Sequence, residues 1–253
     1  MIRVGKALYD NKGIKTDPSY PNYEKIVVIM KSHSKYYPLS PYYLKDENEV
    51  LMENYWQFSK IYRQVPKSLQ KRSRYDSTII WDHPKEDHII KINGIDKITN
   101  EYIEWRKKGM KCPDPIRYPV GFNYRQTCYG ALKCTQNEDT IDETKILDYV
   151  EARKQIYVKK YCDLVKKEPL FLELQKKLKK GINLLIVDVD GPHQESLDYY
   201  KNNYNVSNNF IENHTVLMNQ EAIKIFLNDT KHSFGHGYCL AMALLNKDIE
   251  WND

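Results

Sequence analysis

The order of apolar and polar positions along the chain predicts a mixture of short strands and helices. Residues 182–187 (INLLIV) predict the clearest strand, because a nearly continuous apolar run is typical of a strand buried on both faces. Residues 24–31 (EKIVVIMK) predict a second strand, and residues 77–83 are a candidate third. The three prolines within residues 112–122 indicate extended or irregular backbone, and the polar residues 136–142 predict a loop.

Helical periodicity accounts for most of the remaining chain. The predicted helices cover residues 51–62, 99–110, 142–167, 169–180, 194–203 and 220–228, and a last one follows the turn at residues 234–237. Thr99 and Asn219 are predicted N-caps, and Gly181 stands at the stop position of its helix. No internal repeat or clear linker divides the sequence. We therefore expect an α+β fold, a single mostly helical domain over residues 1–253 around a small sheet, with residues 63–140 as a long insertion.

The segment at residues 51–62 combines this periodicity with candidate chemistry. At about 100° per residue, Glu53, Gln57 and Lys60 fall within roughly 60° of one another on the predicted helix, opposite apolar residues such as Tyr55. An ordinary amphipathic helix with a solvated polar stripe explains this pattern. A pocket wall also explains it, because Trp56 lies beside the stripe and an aromatic, proline-containing loop precedes the helix.

Composition restricts the class of protein. With 253 residues, 41% hydrophobic and 29% charged, we expect a soluble globular protein located in the cytoplasm, since no apolar run approaches the roughly 18 residues of a membrane span and residues 1–10 do not resemble a signal peptide. The net charge of +5 is too dispersed for a strong nucleic-acid footprint. The abundance of Lys, Asn, Ile and Tyr fits an AT-rich genome, such as that of a parasite or a large DNA virus acting in host cytoplasm.

Cysteines give no sign of a disulfide or zinc framework. They are odd in number and lack Cys-x-x-Cys spacing, so we interpret them as reduced thiols. The five are Cys112, Cys128, Cys134, Cys162 and Cys239.

Two aspartates stand where the clearest strand ends. Asp188 and Asp190 could bind a metal, anchor ribose hydroxyls or act as acid and base, or they could simply be a polar strand exit. His193, His232 and His236 could join them around a metal, although His232 and His236 flank a turn and helical geometry does not pair them.

Several motifs together resemble the NADAR family, which includes the riboflavin-pathway N-glycosidase and enzymes that remove ADP-ribose from guanine in nucleic acids. Residues 38–42 (PLSPY) stand for the family's Phe-Ser-Asn-Phe loop and following Pro. Residues 53–60 (ENYWQFSK) match its Glu-His-Tyr-Phe-Gln-Ala-x-Lys helix at Glu53, Tyr55, Gln57 and Lys60, with Asn in place of His. Later, helices lead into residues 184–190, and GHGYCLAMALL (235–245) is similar to the family's glycine turn and closing helix.

This resemblance implies a NADAR-like fold and an N-glycosidase. Lys60 would attack the anomeric carbon of a ribosylated base and form a Schiff base with the opened sugar, Glu53 would shuttle protons or hold a ribose hydroxyl, and Asp190 would complete the catalytic cluster. The implied substrate contacts are Tyr42, Asn54, Trp56, Gln57, Asp188 and Gly235. The partner would be a ribosylated or ADP-ribosylated nucleotide, free or within nucleic acid, and no cofactor, metal or membrane is implied.

Two other functions explain the same residues. One is a metal-dependent nucleotide or phosphate hydrolase that uses Asp188 and Asp190, with His193 as a further candidate. The other is a non-catalytic binding or virion-type protein, in which the stripe from Glu53 to Lys60 is simply solvated. The identity of the base and the oligomeric state are left open.

Overall fold

The fold is α+β, as the sequence predicts. The computed structural model describes residues 1–28, 34–63, 87–134 and 141–248, without the side chains of residues 134 and 141–145. The candidate strand at residues 77–83 and most of the predicted loop at 136–142 therefore lie outside the described residues. Within them, no helix is both long enough and apolar enough to cross a membrane.

The strands of the described residues, in chain order, are β1 (Ile2–Lys6), β2 (Leu8–Tyr9), β3 (Lys15–Thr16), β4 (Tyr23–Val27), β5 (Lys60–Tyr62), β6 (Ile89–Ile92), β7 (Ile95–Ile98), β8 (Cys128–Cys134), β9 (Ile141–Leu147), β10 (Asn183–Asp188) and β11 (Thr215–Leu217). The α-helices are α1 (Met52–Gln57), α2 (Asn100–Met110), α3 (Tyr149–Ala152), α4 (Lys159–Val165), α5 (Pro169–Lys179), α6 (Leu197–Tyr204), α7 (Gln220–Asn228) and α8 (His236–Leu244). A π-helical segment, Arg153–Val158, follows α3.

The chain divides into two compact units. Unit 1 comprises Met1–Leu44 and Val158–Asp253, and unit 2 comprises Lys45–Tyr157. The predicted insertion at residues 63–140 falls inside unit 2. The grouping of the whole chain into one domain stays a prediction.

Unit 1 is built on a mixed four-stranded sheet with the order β11-β1-β10-β4. Strands β1, β10 and β4 are parallel, and β11 is antiparallel to β1. The prediction that residues 182–187 form a central buried strand is confirmed, because β10 lies between two partners and residues 184–188 are all buried. Parallel strands end at the same edge of a sheet, so Lys6 and Asp188 both stand at the carboxyl edge.

Strand β1 is an element that the sequence pattern did not predict. Arg3 and Gly5 interrupt its apolar run, yet Arg3 is buried in the structure. The guanidinium donates to the Thr215 hydroxyl at 2.8 Å and to Glu212 at 3.3 Å, and it lies 3.8 Å from the ring centre of Tyr20. A buried charge is tolerated when it is paired in this way. The local sequence pattern cannot predict partners that come from distant parts of the chain.

The helices of unit 1 confirm several sequence expectations. Helix α5 ends before Gly181, whose φ of 81° is the left-handed conformation expected of a C-terminal stop. In α7 the Asn219 side chain accepts the N–H of Ala222 at 2.8 Å, as an N-cap does. Helix α8 is buried along its whole length and packs on β1 and β10.

Unit 2 contains an antiparallel sheet, β5-β8-β9, and a hairpin, β6-β7. Asn93 and Gly94 both have positive φ at the hairpin turn, as a two-residue turn between strands of this twist requires. The predicted helix at residues 99–110 is confirmed, and the Thr99 hydroxyl accepts the N–H of Tyr102 at 3.1 Å. Its Trp105 packs on Phe58, with ring centres 4.7 Å apart.

Two predicted helix boundaries in unit 2 are wrong. The helix expected over residues 51–62 ends at Gln57, and residues 60–62 form β5 because they pair with β8. The helix expected over residues 142–167 starts later than predicted: β9 continues to Leu147, and helical structure begins only after Asp148, whose side chain caps α3. In both places pairing with β8 overrides the local helical period.

Candidate functional sites

The predicted polar stripe of Glu53, Gln57 and Lys60 is a connected chain of hydrogen bonds. The Gln57 amide nitrogen donates to Glu53 Oε1 at 2.9 Å, and Lys60 Nζ donates to Gln57 Oε1 at 2.9 Å. Two elements supply these residues, since Glu53 and Gln57 lie one turn apart on α1 and Lys60 begins β5. The intervening turn is closed by the Ser59 hydroxyl, which donates to the carbonyl of Trp56 at 2.7 Å.

Two of the three side chains of this stripe are buried. Glu53 is 6% exposed and Gln57 is 9% exposed, so the interpretation of α1 as a helix with a solvated polar face is wrong, while Lys60 is partly buried. Met52 and Tyr55 are buried as well, and α1 therefore lies within unit 2 with both of its predicted faces covered. A polar stripe held in this way departs from the rule that carboxylates and amides face water.

Burial lowers the pKa of the Lys60 ammonium below its ordinary value. The loss of hydration is the main cause, and the nearby Cys128 and Glu53 act in the opposite direction. The atom to which the ammonium directly donates belongs to a neutral amide, Gln57 Oε1. The Trp56 ring adds a cation–π contact, with Nζ 4.8 Å from the ring centre. The result is an amine that loses its proton more readily than a surface lysine.

Asn54, a predicted substrate contact, holds the backbone of the proline-containing segment in unit 2. Its amide nitrogen donates to the carbonyls of Cys112 and Asp114 at 2.9 and 3.0 Å, and its oxygen accepts the N–H of Ile116 at 2.7 Å. Asn54 is completely buried. The segment it holds is irregular from Lys111 onward, in agreement with the sequence prediction.

The remaining predicted residues belong to unit 1. Asp188 ends β10 and is completely buried; its Oδ2 accepts the N–H of Gly237 at 2.8 Å and lies 3.4 Å from His236 Nδ1. Its Oδ1 has no hydrogen-bond partner in the described part of the chain. Gly235 is close enough that a Cβ there would lie 2.3 Å from Asp188 Oδ2 and 2.7 Å from Asp190 Cβ. Only glycine allows the helix start to approach the two aspartates so closely.

Asp190 and Lys6 share this carboxyl edge of the sheet. Burial, followed by the neighbouring Asp188 carboxylate, raises the pKa of Asp190 above its ordinary value. Burial lowers the pKa of Lys6, while Asp190 and Asp188 act in the opposite direction. Lys6 Nζ donates to the carbonyl of Val189 at 2.6 Å. Sequence reasoning missed Lys6 because it missed β1; the Lys at the end of a parallel strand becomes informative only once that strand is known.

The three candidate histidines of unit 1 do not form one cluster. His236 Nε2 lies 2.5 Å from the carbonyl of Val28, His232 Nδ1 lies 2.7 Å from Asp229, and His193 is exposed beside Glu195. Among the residues that the structure describes, no group of three or more His, Cys, Asp or Glu side chains is placed to hold a metal ion.

The predicted site residues are thus distributed over the two units. Glu53, Gln57, Lys60 and Trp56 lie together in unit 2, and Asp188, Asp190 and Gly235 lie together in unit 1. Tyr42 is partly buried in unit 1, in the loop that follows Ser40. The convergence of Lys60 with Asp190 stays a prediction.

Four cysteines, Cys112, Cys128, Cys162 and Cys239, are free thiols, which confirms the prediction for these residues. Comparisons with known proteins found no matching family model, no matching curated protein and no matching solved structure.

Proposed function

We propose that the protein is an N-glycosidase that hydrolyses an N-ribosyl or ADP-ribosyl bond to a nucleobase-like group through a Schiff base on Lys60. The observation that carries this proposal is the chain of hydrogen bonds from the buried Glu53 and Gln57 to the partly buried Lys60, in which loss of hydration lowers the pKa of the amine. A lysine with a lowered pKa is better suited to covalent catalysis than a surface lysine, because the attacking form is the neutral amine.

The chemistry follows from the neutral amine. Lys60 Nζ forms a bond to the anomeric carbon, the bond from that carbon to the base nitrogen breaks, and the base leaves with a proton. Opening of the ribose ring then converts the glycosylamine into an imine. Addition of water to the imine releases the sugar as its aldehyde and restores the amine. We assign the proton movements to Glu53, which Gln57 connects to Lys60.

The finer assignments extend the NADAR resemblance and belong to the same proposal. Asp190 is the third proposed catalytic residue, and burial raises the pKa of its carboxyl above the ordinary value. The proposed substrate contacts are Tyr42, Asn54, Trp56, Gln57, Asp188 and Gly235. The fold proposed for the whole chain is NADAR-like, elaborated by residues 63–140.

Borohydride trapping tests the proposal directly. Purified protein is incubated with an N-ribosyl nucleotide or an ADP-ribosylated oligonucleotide, reduced with borohydride, and digested for mass spectrometry. We expect a sugar adduct on Lys60, and none in Lys60→Arg, which keeps the charge but cannot form an imine. Lys133→Arg is the matched control, because Lys133 is an exposed lysine on β8, the strand that pairs with β5.

The same assay separates the alternatives. Turnover that persists in Lys60→Arg and stops in chelator would replace the Schiff-base mechanism with metal-dependent hydrolysis. No turnover and no adduct on any substrate of this class would leave the non-catalytic alternative in its place. That alternative expects a solvated stripe, whereas Glu53 and Gln57 are buried and Lys60 is partly buried.

A further inference from the structure

A second polar cluster lies in unit 1, around the buried carboxylate of Asp229. Asp229 is 1% exposed and accepts hydrogen bonds from the hydroxyls of Tyr200 and Tyr199 at 2.6 and 3.2 Å, and from the N–H of Lys231 at 2.8 Å. Burial alone would raise the pKa of this carboxyl, but the hydrogen bonds from Tyr200, Lys231 and His232 bring it below its ordinary value. Asp229 is therefore held as a carboxylate.

The fourth partner of Asp229 is the imidazole of His232. His232 Nδ1 lies 2.7 Å from Asp229 Oδ2 and 3.1 Å from the Tyr200 hydroxyl. A carboxylate accepts, so Nδ1 carries the hydrogen and the ring orientation is fixed. None of the hydrogen bonds that His232 makes within the described residues involves Nε2. Nε2 is the ring nitrogen left to meet a ligand.

His232 lines a cavity with a volume of about 170 Å³. Gly191, His193, Lys231 and Ser233 also line it, together with Tyr200. Sites that enclose a drug-sized ligand span roughly 300–1,000 Å³, so this cavity suits a small group instead. Its lining residues include an imidazole oriented by a carboxylate, a second imidazole and a lysine.

The acids near the cavity are already compensated. Asp229 is hydrogen-bonded on both oxygens. Asp190 interacts with the Ser233 hydroxyl and with Lys6. Glu195 lies 3.8 Å from His193 Nδ1. Lys231 makes a cation–π contact with Tyr199, with Nζ 4.6 Å from the ring centre, and it has no acidic partner within salt-bridge distance in the described residues.

We propose that this cavity is a binding site for a small oxyanion, a phosphate or carboxylate group, contacted by Nε2 of His232 and by the ammonium of Lys231. Asp229 positions His232 and does not contact the ligand. The site lies wholly in unit 1, and its lining includes none of the residues assigned to the glycosidase chemistry, although the proposed catalytic residue Asp190 interacts with Ser233 of its wall.

The test is a titration of the full chain followed through the imidazole nitrogens by NMR. Inorganic phosphate and acetate are added separately at constant ionic strength, with chloride as the reference anion. We expect a saturable shift of His232 Nε2 with phosphate or acetate and none with chloride. Tighter binding of phosphate identifies a phosphoryl ligand, and tighter binding of acetate identifies a carboxylate.

Variants assign the contacts. We expect His232→Gln, followed through the imidazole of His193 in the same cavity, to weaken anion binding roughly tenfold, the loss expected for one charge-assisted hydrogen bond. Lys231→Ala should weaken it several-fold and is expected to fold normally, because the side chain is exposed. Lys224→Ala, which removes an equal charge from an exposed position on α7, should bind as the wild type does.

Either of two results would overturn the site. One is the absence of a saturable shift at His232 with both anions in the wild type. The other is equal weakening by Lys231→Ala and Lys224→Ala, since that indicates general attraction to a basic surface. Neither result bears on Lys60, whose trapping is measured separately.

Discussion

The two units differ in the groups that lie beside their lysine and histidine side chains. In unit 2, Lys60 donates to a neutral amide, and His88 is completely buried with Nδ1 accepting the N–H of Tyr62 at 3.1 Å. In unit 1, the imidazoles of His232 and His236 each lie close to an aspartate, Asp229 at 2.7 Å and Asp188 at 3.4 Å. Lys60 and His88 of unit 2 thus bond to neutral groups, whereas these two imidazoles of unit 1 each lie beside an aspartate.

This difference affects whether the surroundings favour the charged or the neutral form of each base. Loss of hydration favours the neutral form of a base, and it lowers the pKa of Lys60 and lowers that of His88 to about 3. Neutral amines are nucleophiles, while imidazoles oriented by carboxylates position ligands, so the two units are suited to different chemistry.

The largest expected effect is acid destabilisation through His88. Its pKa is about 3 in the folded protein and about 6.5 when unfolded, so between these values the unfolded chain binds the extra proton. The stabilisation is therefore complete above about pH 6.5 and is lost as the pH falls toward 3. By pH 4.5 this costs about 3 kcal/mol. Urea unfolding followed by tryptophan fluorescence measures it, because Trp105 packs on His88 with ring centres 4.6 Å apart.

His88→Gln isolates this contribution. The glutamine can still accept from Tyr62 but cannot titrate, so the pH dependence of unfolding should flatten between pH 7 and 4.5. His214→Gln is the control, because His214 Nδ1 also accepts a backbone N–H, from Gln194 at 3.3 Å, in a partly exposed position. An unchanged pH profile in His88→Gln would show that the buried histidine of unit 2 is not the titrating group.

The sequence predicts the apolar elements of this fold well and its long-range pairings poorly. Strand β10 and helix α5 followed from a continuous apolar run and from a proline and glycine at opposite ends. Strand β1 did not, because the charge of Arg3 is satisfied by Glu212 and Thr215, more than 200 residues away. Local periodicity contains no information about partners at that separation.

The candidate sites show the same limit. Helical phase placed Glu53, Gln57 and Lys60 together, and they are together, although Lys60 lies on a strand instead of the helix. What the pattern could not supply was burial, which depends on how the rest of unit 2 covers α1. The sequence did not indicate the Asp229–His232 pair, because three-residue spacing outside a helix does not by itself bring two side chains together.

A smaller effect is expected from removing the carboxylate that distinguishes unit 1. Asp229→Asn leaves His232 without its charged partner and changes the hydrogen bonds of Tyr199 and Tyr200. We expect a loss of about 2 kcal/mol in the free energy of unfolding, measured by urea titration. Asp198→Asn, at a highly exposed position of α6, should change it by less than about 0.5 kcal/mol. Equal effects of the two variants would mean that the Asp229 network adds no stability.

The smallest effect is expected from giving Lys60 a carboxylate partner, like those of the two imidazoles in unit 1. Gln57→Glu places a carboxylate oxygen where the amide oxygen now accepts from Nζ at 2.9 Å, and an adjacent negative charge favours the ammonium. The pKa of Lys60 should rise, so the rate of Lys60 acylation at pH 7, measured by mass spectrometry, should fall about tenfold. Glu49→Gln, at an exposed position before α1, should leave the rate unchanged. If Gln57→Glu leaves the Lys60 rate unchanged as well, then the neutral partner is not what separates unit 2 from unit 1, and the lowered pKa of Lys60 depends on burial alone.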